Sequence, residues 1–360
     1  MTGLIMGRYS YVCFFLLLLI NCKDPIDLRG KGSIGLLVID GKITTLPGPY
    51  ELRLGYTVGV DQKPSPVSHA HAKLFDDAGN SEAYDETGEA GVYSAPGAIV
   101  QGIPGRAYHI EVTLEDGRKY TSKPEIIPLA SGIDTPSYDF GTRSEFVGDA
   151  EVKKNVINVY TDTQLPADGK DIYMRWYATE TYMFEQAPKF DEFTGTIPKP
   201  CYVDGFADRQ RITLFTTRSQ QLQTLTHTLV AVRDIDHSFL ARHYFTVYLS
   251  SITKESHEYW KNVDQLINRS GSIFDTPPAP IAGNIFSPTD ETEKVLGYFE
   301  AANTSYSRLF VLRKDVPFQM LSYCNDPKYG PYWPFYPKEC NDCLLLENSS
   351  KTPPDWWVAD

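Results

Sequence analysis

The strongest constraint on this fold is the stretch of residues 241–302, which reads as strand, helix, proline-rich loop and strand. Its first part, FTVYL at 245–249, is β-branched and aromatic and favours an extended strand. Thr253 then offers a hydroxyl as the N-cap of a helix over residues 253–270. Apolar residues recur there at helical spacing and form one stripe, namely Tyr259, Trp260, Val263, Leu266 and Ile267. The pattern predicts one packed helix with Trp260 as its largest buried side chain.

A second strand is predicted after the loop, in the sequence VLGYFEAA at residues 295–302. Tyr298 and Phe299 are expected to fill the core beside Trp260. Gly283 and Gly297 are expected to serve the backbone conformation, because glycine has no Cβ to hinder a close approach. The stretch predicts a packing centre, and it carries no recognisable catalytic motif.

The rest of the chain is a succession of short strands and turns. Its 23 Tyr, 18 Phe and 25 Pro favour strands and turns over helix bundles. Residues 33–128 contain about seven short strands in about 100 residues, which predicts an immunoglobulin-like β-sandwich. Prolines punctuate a polar segment near residue 130, and we place a domain boundary there. The prediction is a mainly β protein with a second β-rich domain at 137–312, containing the helix, and a Cys- and aromatic-rich tail at 313–360.

The first residues carry an export signal. Arg8 precedes an apolar run at residues 12–20 that is too short to span a bilayer. The run closes at Cys22, and a Cys directly after such a run is typical of a bacterial lipoprotein signal. We therefore predict a signal peptide at 1–21, lipidation of Cys22, and a lipid-anchored linker at 22–32. An ordinary secretory signal, with Cys22 incidental, is the alternative.

Four further cysteines are available for bonding in an exported chain: Cys201, Cys324, Cys340 and Cys343. They allow two disulfides in three connectivities, and we predict that one bond joins Cys201 to a tail cysteine. Zinc binding or a redox pair are the alternatives for the C-x-x-C at 340–343. A zinc site would need a second such pair of ligands. A redox motif would be expected at the start of a helix that follows a strand, whereas this pair lies in the proline-rich tail.

Aromatic residues are dense in one proline-rich segment of the tail. The predicted contacts with a partner or ligand are Tyr329, Tyr332, Trp333, Phe335 and Tyr336. Such rings can hold an apolar side chain or stack on a sugar. The alternative is a lid that packs on the β domain and binds nothing.

Several function classes are disfavoured by composition and motifs. The formal net charge of −12 disfavours nucleic acid, whose phosphates would be repelled. The sequence contains no Gly-rich phosphate loop, no HExxH and no GxSxG. We therefore predict no cofactor, no metal site and no catalytic residue.

Three segments resemble a known family. They are GRAYHIEVTLEDGRKYTS, GSIFDTPPAPIAGNI followed by VLGYFEAA, and the closing CNDCLLLENSSKTPPDWW. All three are similar to the domain-of-unknown-function 4249 proteins, which are outer-membrane lipoproteins of Bacteroidota, often encoded beside TonB-dependent receptors. Lys23 and Asp24 resemble the short charged signal that sends such lipoproteins to the cell surface. The family has no defined catalytic residues, so the resemblance implies none here.

These observations lead to one expected function and one alternative. We expect a non-enzymatic outer-membrane surface lipoprotein that is an accessory subunit of a TonB-dependent transporter, in nutrient capture or barrel capping. The same expectation includes an accessory role in another outer-membrane machine, such as the one that assembles barrel proteins. The alternative is an extracellular polymer-degrading or carbohydrate-binding protein with its site in the aromatic loops.

Overall fold

The protein is mainly β, as the sequence predicts. The computed structural model describes residues 35–58, 65–129, 132–148, 150–166, 171–186, 200–217, 223–268, 280–325 and 337–358. The strands of the first half are β1 (Leu37–Thr44), β2 (Tyr50–Tyr56), β3 (Ser65–Pro66), β4 (His71–Asp76), β5 (Ser81–Glu86), β6 (Val92–Ala95), β7 (Ala107–Thr113), β8 (Lys119–Ser122) and β9 (Glu125–Ile126).

In its described residues, the second half adds longer strands and two α-helices. Its strands are β10 (Ile133–Val147), β11 (Ala150–Gln164), β12 (Tyr173–Phe184), β13 (Cys201–Phe206), β14 (Thr213–Thr216), β15 (Thr224–Asp234), β16 (His243–Ser251), β17 (Ile285–Phe286), β18 (Phe299–Val311) and β19 (Ser349–Ser350). The helices are α1 (Lys254–Ile267) and α2 (Lys338–Asn341), with 3-10 turns at His237–Leu240, Arg313–Asp315, Tyr323–Asn325 and Cys343–Leu345.

The strands of the first half surround one hydrophobic core. Strands β4, β7 and β8 form one layer, β1, β2 and β6 form the other, and β5 pairs with both β4 and β6. Their side chains alternate between core and solvent, as a half-buried strand requires. The core between the layers includes Ile39, Leu52, Leu74, Tyr93, Tyr108, Ile110 and Tyr120. This arrangement is the predicted sandwich.

A second pair of layers forms the other half. Strands β13, β12, β16 and β18 lie side by side, and the three-stranded sheet β10–β11–β15 packs on their inner face. Trp176 is the largest fully buried side chain, and its indole N–H donates to the carboxylate of Asp134 at 3.1 Å. Because the outer face of β12, β16 and β18 is not covered by this sheet, it is available for other contacts.

Strand β18 joins the two halves. It pairs in parallel with β1, where Gly41 lies opposite Phe299, and antiparallel with β16, where Tyr248 lies opposite Tyr306. The division into 33–128 and 137–312 therefore differs from the structure at one segment. Residues 280–302 close the first core, to which they contribute Ile285, Val295, Phe299 and Ala301. The parallel partner of β1 lies far along the chain, so local patterns did not reveal it.

Glycine allows β18 to begin against β1. Gly297 has φ +94°, and an added Cβ there would lie 2.0 Å from the carbonyl oxygen of Ile39. A Cβ on Gly283 would lie 1.5 Å from the carbonyl oxygen of Gly297. Both predictions of a backbone role are confirmed, because no side chain fits at either position.

The cysteines fasten the tail to the second half. Cys201 bonds Cys343 and Cys324 bonds Cys340, with Cα–Cα distances of 5.9 and 5.6 Å. The prediction that Cys201 reaches a tail cysteine is confirmed. The four cysteines are buried together with Phe184 and Val203, and β19 pairs with β13 beside them.

Loss of the long-range disulfide is expected to destabilise the second half. Replacing Cys201 and Cys343 together by Ser should lower the free energy of unfolding by about 2–4 kcal/mol, because the open chain gains entropy when unfolded. Denaturant unfolding followed by tryptophan fluorescence measures this. An unchanged midpoint, or free thiols at these two cysteines in the wild-type protein, would contradict the assignment.

Candidate functional site

Helix α1 lies at one end of the outer sheet face. Thr253 is its N-cap, as predicted, and its hydroxyl accepts a hydrogen bond from the backbone N–H of Ser256 at 3.1 Å. The helix ends at Ile267, and the predicted final residues 269–270 lie outside the described residues. The predicted apolar stripe is only partly covered, since Leu266 and Ile267 are 41% and 45% exposed.

Trp260 is only partly buried, whereas the sequence placed it in the structural core. The physical reason is its polar edge, because the indole N–H donates to the carboxylate of Glu300 at 2.7 Å. The guanidinium of Arg175 also lies over its indole ring, 4.1 Å from the ring centroid. The other two predicted core residues, Tyr298 and Phe299, are buried.

The carboxylate of Glu300 holds the helix on the sheet. One oxygen accepts from Arg175 of β12 at 2.7 Å and lies 3.7 Å from the ammonium of Lys42 of β1. The other oxygen accepts from Ser256 and Trp260 of α1 at 2.8 and 2.7 Å. Burial alone would raise the pKa of Glu300, but the two cations and these donors outweigh it and lower the pKa to about 2.

A second buried carboxylate lies at the start of the same helix. Glu125 accepts hydrogen bonds from the Thr253 hydroxyl at 2.7 Å, from the Tyr298 hydroxyl and from the Asn284 amide. Burial raises the pKa of Glu125, although these three donors oppose the rise. Glu125 lines a cleft of about 400 Å³ beside α1, together with Tyr259 and Tyr298. The three donors to Glu125 belong to three different segments of the chain, which meet at this carboxylate.

Aromatic side chains cross the outer face of the sheet next to this helix. Tyr177 of β12 stacks on Tyr248 of β16 at a centroid distance of 4.8 Å, and Tyr248 lies 5.9 Å from Tyr306 of β18. Phe206 of β13 extends the series, 6.2 Å from Tyr177. We call Phe206, Tyr177, Tyr248 and Tyr306 the aromatic row. Its two ends are open to solvent, with Phe206 53% and Tyr306 46% exposed.

Cations lie on both sides of the aromatic row. On the side of α1, the Lys42 ammonium is 4.9 Å and the Arg175 guanidinium 5.5 Å from the centroid of Tyr177. On the other side, Arg308 is 4.7 Å from the centroid of Tyr306. Burial raises the pKa of Tyr177 to about 12, so its phenol stays a neutral hydrogen-bond donor. The surface offers hydroxyls, aromatic carbon and positive charge together.

The end of the tail closes the far side of this face. Trp356 packs on Tyr244 of β16 at a centroid distance of 5.1 Å. The guanidinium of Arg308 lies over the ring of Trp356, 4.0 Å from its centroid. Trp357 contacts Tyr244 and Tyr202 at 4.9 and 5.0 Å. The aromatic row therefore lies between α1 and the tail.

Several predicted site residues lie outside the described residues. They are Cys22 and the tail aromatics Tyr329, Tyr332, Trp333, Phe335 and Tyr336. The aromatic row, in contrast, was missed by sequence reasoning, which looked for aromatics crowded in one segment. Its signal was the period-two alternation in YFTVYL and TSYSRLF, which directs Tyr248, Tyr306 and Arg308 to one face.

The described ranges lack two kinds of feature. Within them, no three His, Cys, Asp or Glu side chains lie close enough together to hold a metal ion. None of the helices in the same ranges is long and apolar enough to span a membrane.

Comparison with protein families identifies the chain at the level of the family. The model described as a domain of unknown function, DUF4249, matches residues 23–308 of the 360 residues. The chain belongs to the DUF4249 family. The match includes the aromatic row, Glu300 and Arg308. The closing segment CNDCLLLENSSKTPPDWW, whose sequence resembles the family, lies beyond the DUF4249 match. No curated protein matches the sequence.

The role of Glu300 can be tested by removing its charge. Glu300→Gln leaves Arg175 and Lys42 without their buried anion, and should lower the free energy of unfolding by about 3 kcal/mol at neutral pH. Because the folded pKa is about 2 and the ordinary value is 4.5, this stabilisation is complete above pH 4.5 and is lost as the pH falls toward 2. Denaturant unfolding of both proteins at pH 7 and pH 3 measures the difference.

The matched control is Glu258→Gln, an exposed acid on the same helix. It should change stability by less than about 0.5 kcal/mol at either pH. A gap between wild type and Glu300→Gln that stays constant from pH 7 to pH 3 would show that the charge of Glu300 is not what stabilises the fold.

Proposed function

We propose that this protein is a non-enzymatic, lipid-anchored surface protein of the outer membrane that binds a membrane β-barrel partner. The partner is a TonB-dependent transporter, for nutrient capture or barrel capping, or another outer-membrane machine such as that of barrel-protein assembly. The observation that carries the proposal is the aromatic row, an exposed aromatic strip with cations on both sides.

The residue types of this face support protein binding. Tyr, Trp and Arg are enriched among the residues that dominate interface energies, whereas Lys and Glu are depleted. The row is built on three paired strands and the edge of a fourth, with Tyr177, Tyr248 and Tyr306 directly opposite one another. A sheet holds its side chains in place before binding, so little conformational entropy is lost when a partner docks.

The tail contains a second predicted contact region, which lies outside the described residues. The Cys324–Cys340 bond closes a loop that contains the predicted contact residues Tyr329, Tyr332 and Trp333. We retain this loop as a second predicted contact region, and Trp333→Ala tests it in the capture experiment below.

The carbohydrate-binding alternative receives less support from the ring geometry. The ring planes of Tyr177 and Tyr248 are inclined by only 8°, and the two rings stack face to face. Tyr306 and Trp356 each give one face to Arg308. Flat aromatic surface for stacking on a sugar ring is correspondingly reduced.

The location can be tested in cells. The protein should be degraded when protease is added to intact cells, and Cys22→Ala should release it from the membrane fraction, because the acyl chains anchor an otherwise soluble body. Survival in intact cells with cleavage after lysis would contradict surface exposure. Membrane association that persists in Cys22→Ala would contradict the lipid anchor.

The binding role can be tested by capture from detergent-solubilised outer membranes. The immobilised protein should retain a β-barrel protein, identified by mass spectrometry, and Tyr306→Ala with Phe206→Ala should reduce the retained amount at least tenfold. Phe146→Ala is the matched control, since Phe146 is 72% exposed but lies on β10, away from the row. Equal losses in the control, or normal capture by the double variant, would refute binding through this face.

A further inference from the structure

Arg308 is distinct among the cations at the aromatic row. Lys42 and Arg175 share the buried carboxylate of Glu300, which neutralises part of their charge. The guanidinium of Arg308 donates to the Thr246 hydroxyl at 3.2 Å and lies between the rings of Tyr306 and Trp356. No carboxylate among the described residues lies within ion-pair distance of it.

An arginine without an acidic partner is informative on this molecule. The chain has 46 Asp and Glu against 34 Lys and Arg, so acidic residues outnumber basic ones over the whole sequence. Of the arginines near the row, Arg308 combines an ordered position with an uncompensated charge. The two rings and Thr246 fix its direction, so a docking anion would find the guanidinium already oriented.

We propose that Arg308 and the aromatic row form the binding site for an acidic, extended polypeptide segment of a partner protein. This inference rests on the proposed function and specifies the chemistry of the partner at that face. A carboxylate of the segment would bind Arg308, and its apolar side chains would pack on Tyr306 and Phe206. The row spans three strand spacings, about 14 Å, which about four or five extended residues would cross.

A polypeptide fits this surface better than an acidic sugar chain. The faces of Tyr177 and Tyr248 are turned to each other, so the row offers a partner mainly its two exposed ends, Phe206 and Tyr306. Phenol hydroxyls can hydrogen-bond backbone carbonyls and amides, and exposed aromatic edges pack on aliphatic side chains. The charge of Arg308 then favours an acidic segment, because the uncompensated guanidinium is complementary to a carboxylate.

The test uses a labelled random copolymer of glutamate and tyrosine, with polygalacturonate as a polysaccharide of similar charge. Fluorescence anisotropy on the full soluble chain should show binding of the copolymer that weakens with salt. Arg308→Gln should weaken it roughly tenfold, whereas Arg308→Lys should lose less. Arg143→Gln is the matched control, because Arg143 is an exposed arginine on the sheet behind this face.

The outcomes separate the inference from the function on which it rests. Unchanged copolymer binding by Arg308→Gln, or an equal loss in Arg143→Gln, overturns the inference. Polygalacturonate binding that is as tight and as dependent on Arg308 overturns it in favour of an acidic glycan. If Arg308→Gln captures the membrane partner normally while the Tyr306 and Phe206 variant does not, the proposed function stands and the acidic segment is rejected.

Discussion

The buried carboxylate of Glu300 is the interaction on which the arrangement of this molecule depends. One carboxylate oxygen accepts hydrogen bonds from two side chains of α1. The other accepts from Arg175 of β12 and lies beside the ammonium of Lys42 of β1, and Glu300 itself belongs to β18. Four elements from both halves of the chain therefore meet at one charge. A buried charge is costly to leave unpaired, so these elements are constrained to stay together.

The strand that contains Glu300 also organises the proposed binding face. Beyond the contact with β1, β18 continues along β16 and directs Tyr306 and Arg308 to the side on which α1 lies. The aromatic row and the buried charge cluster are thus neighbours on one surface. At the other end, the Cys201–Cys343 disulfide and the pairing of β19 with β13 fasten the tail, and Trp356 lies against Arg308. The face is framed by elements that are fixed independently of any partner.

Local patterns predicted the local structure well. The Thr253 cap, the helix that follows it, the β-rich halves and the bond from Cys201 to the tail were all readable, because caps, alternation and cysteine spacing act over short distances or through a few residues. The pairing of β1 with β18 was not readable, since it joins residues more than 250 positions apart. The aromatic row was missed for the same reason, as its members come from four strands. Trp260 was misjudged because its spacing reports a helical face and does not report the polar partner beneath it.

We propose that the face between α1 and the tail is where this DUF4249 protein binds its partner. Hydrogen–deuterium exchange of the protein alone and with the captured membrane partner tests the claim most directly. The account predicts slower exchange on binding in β13, in β16 around Tyr248 and in β18 around Tyr306 and Arg308. Protection confined to the first sandwich or to the β10–β11 hairpin, with no change in these strands, would contradict it.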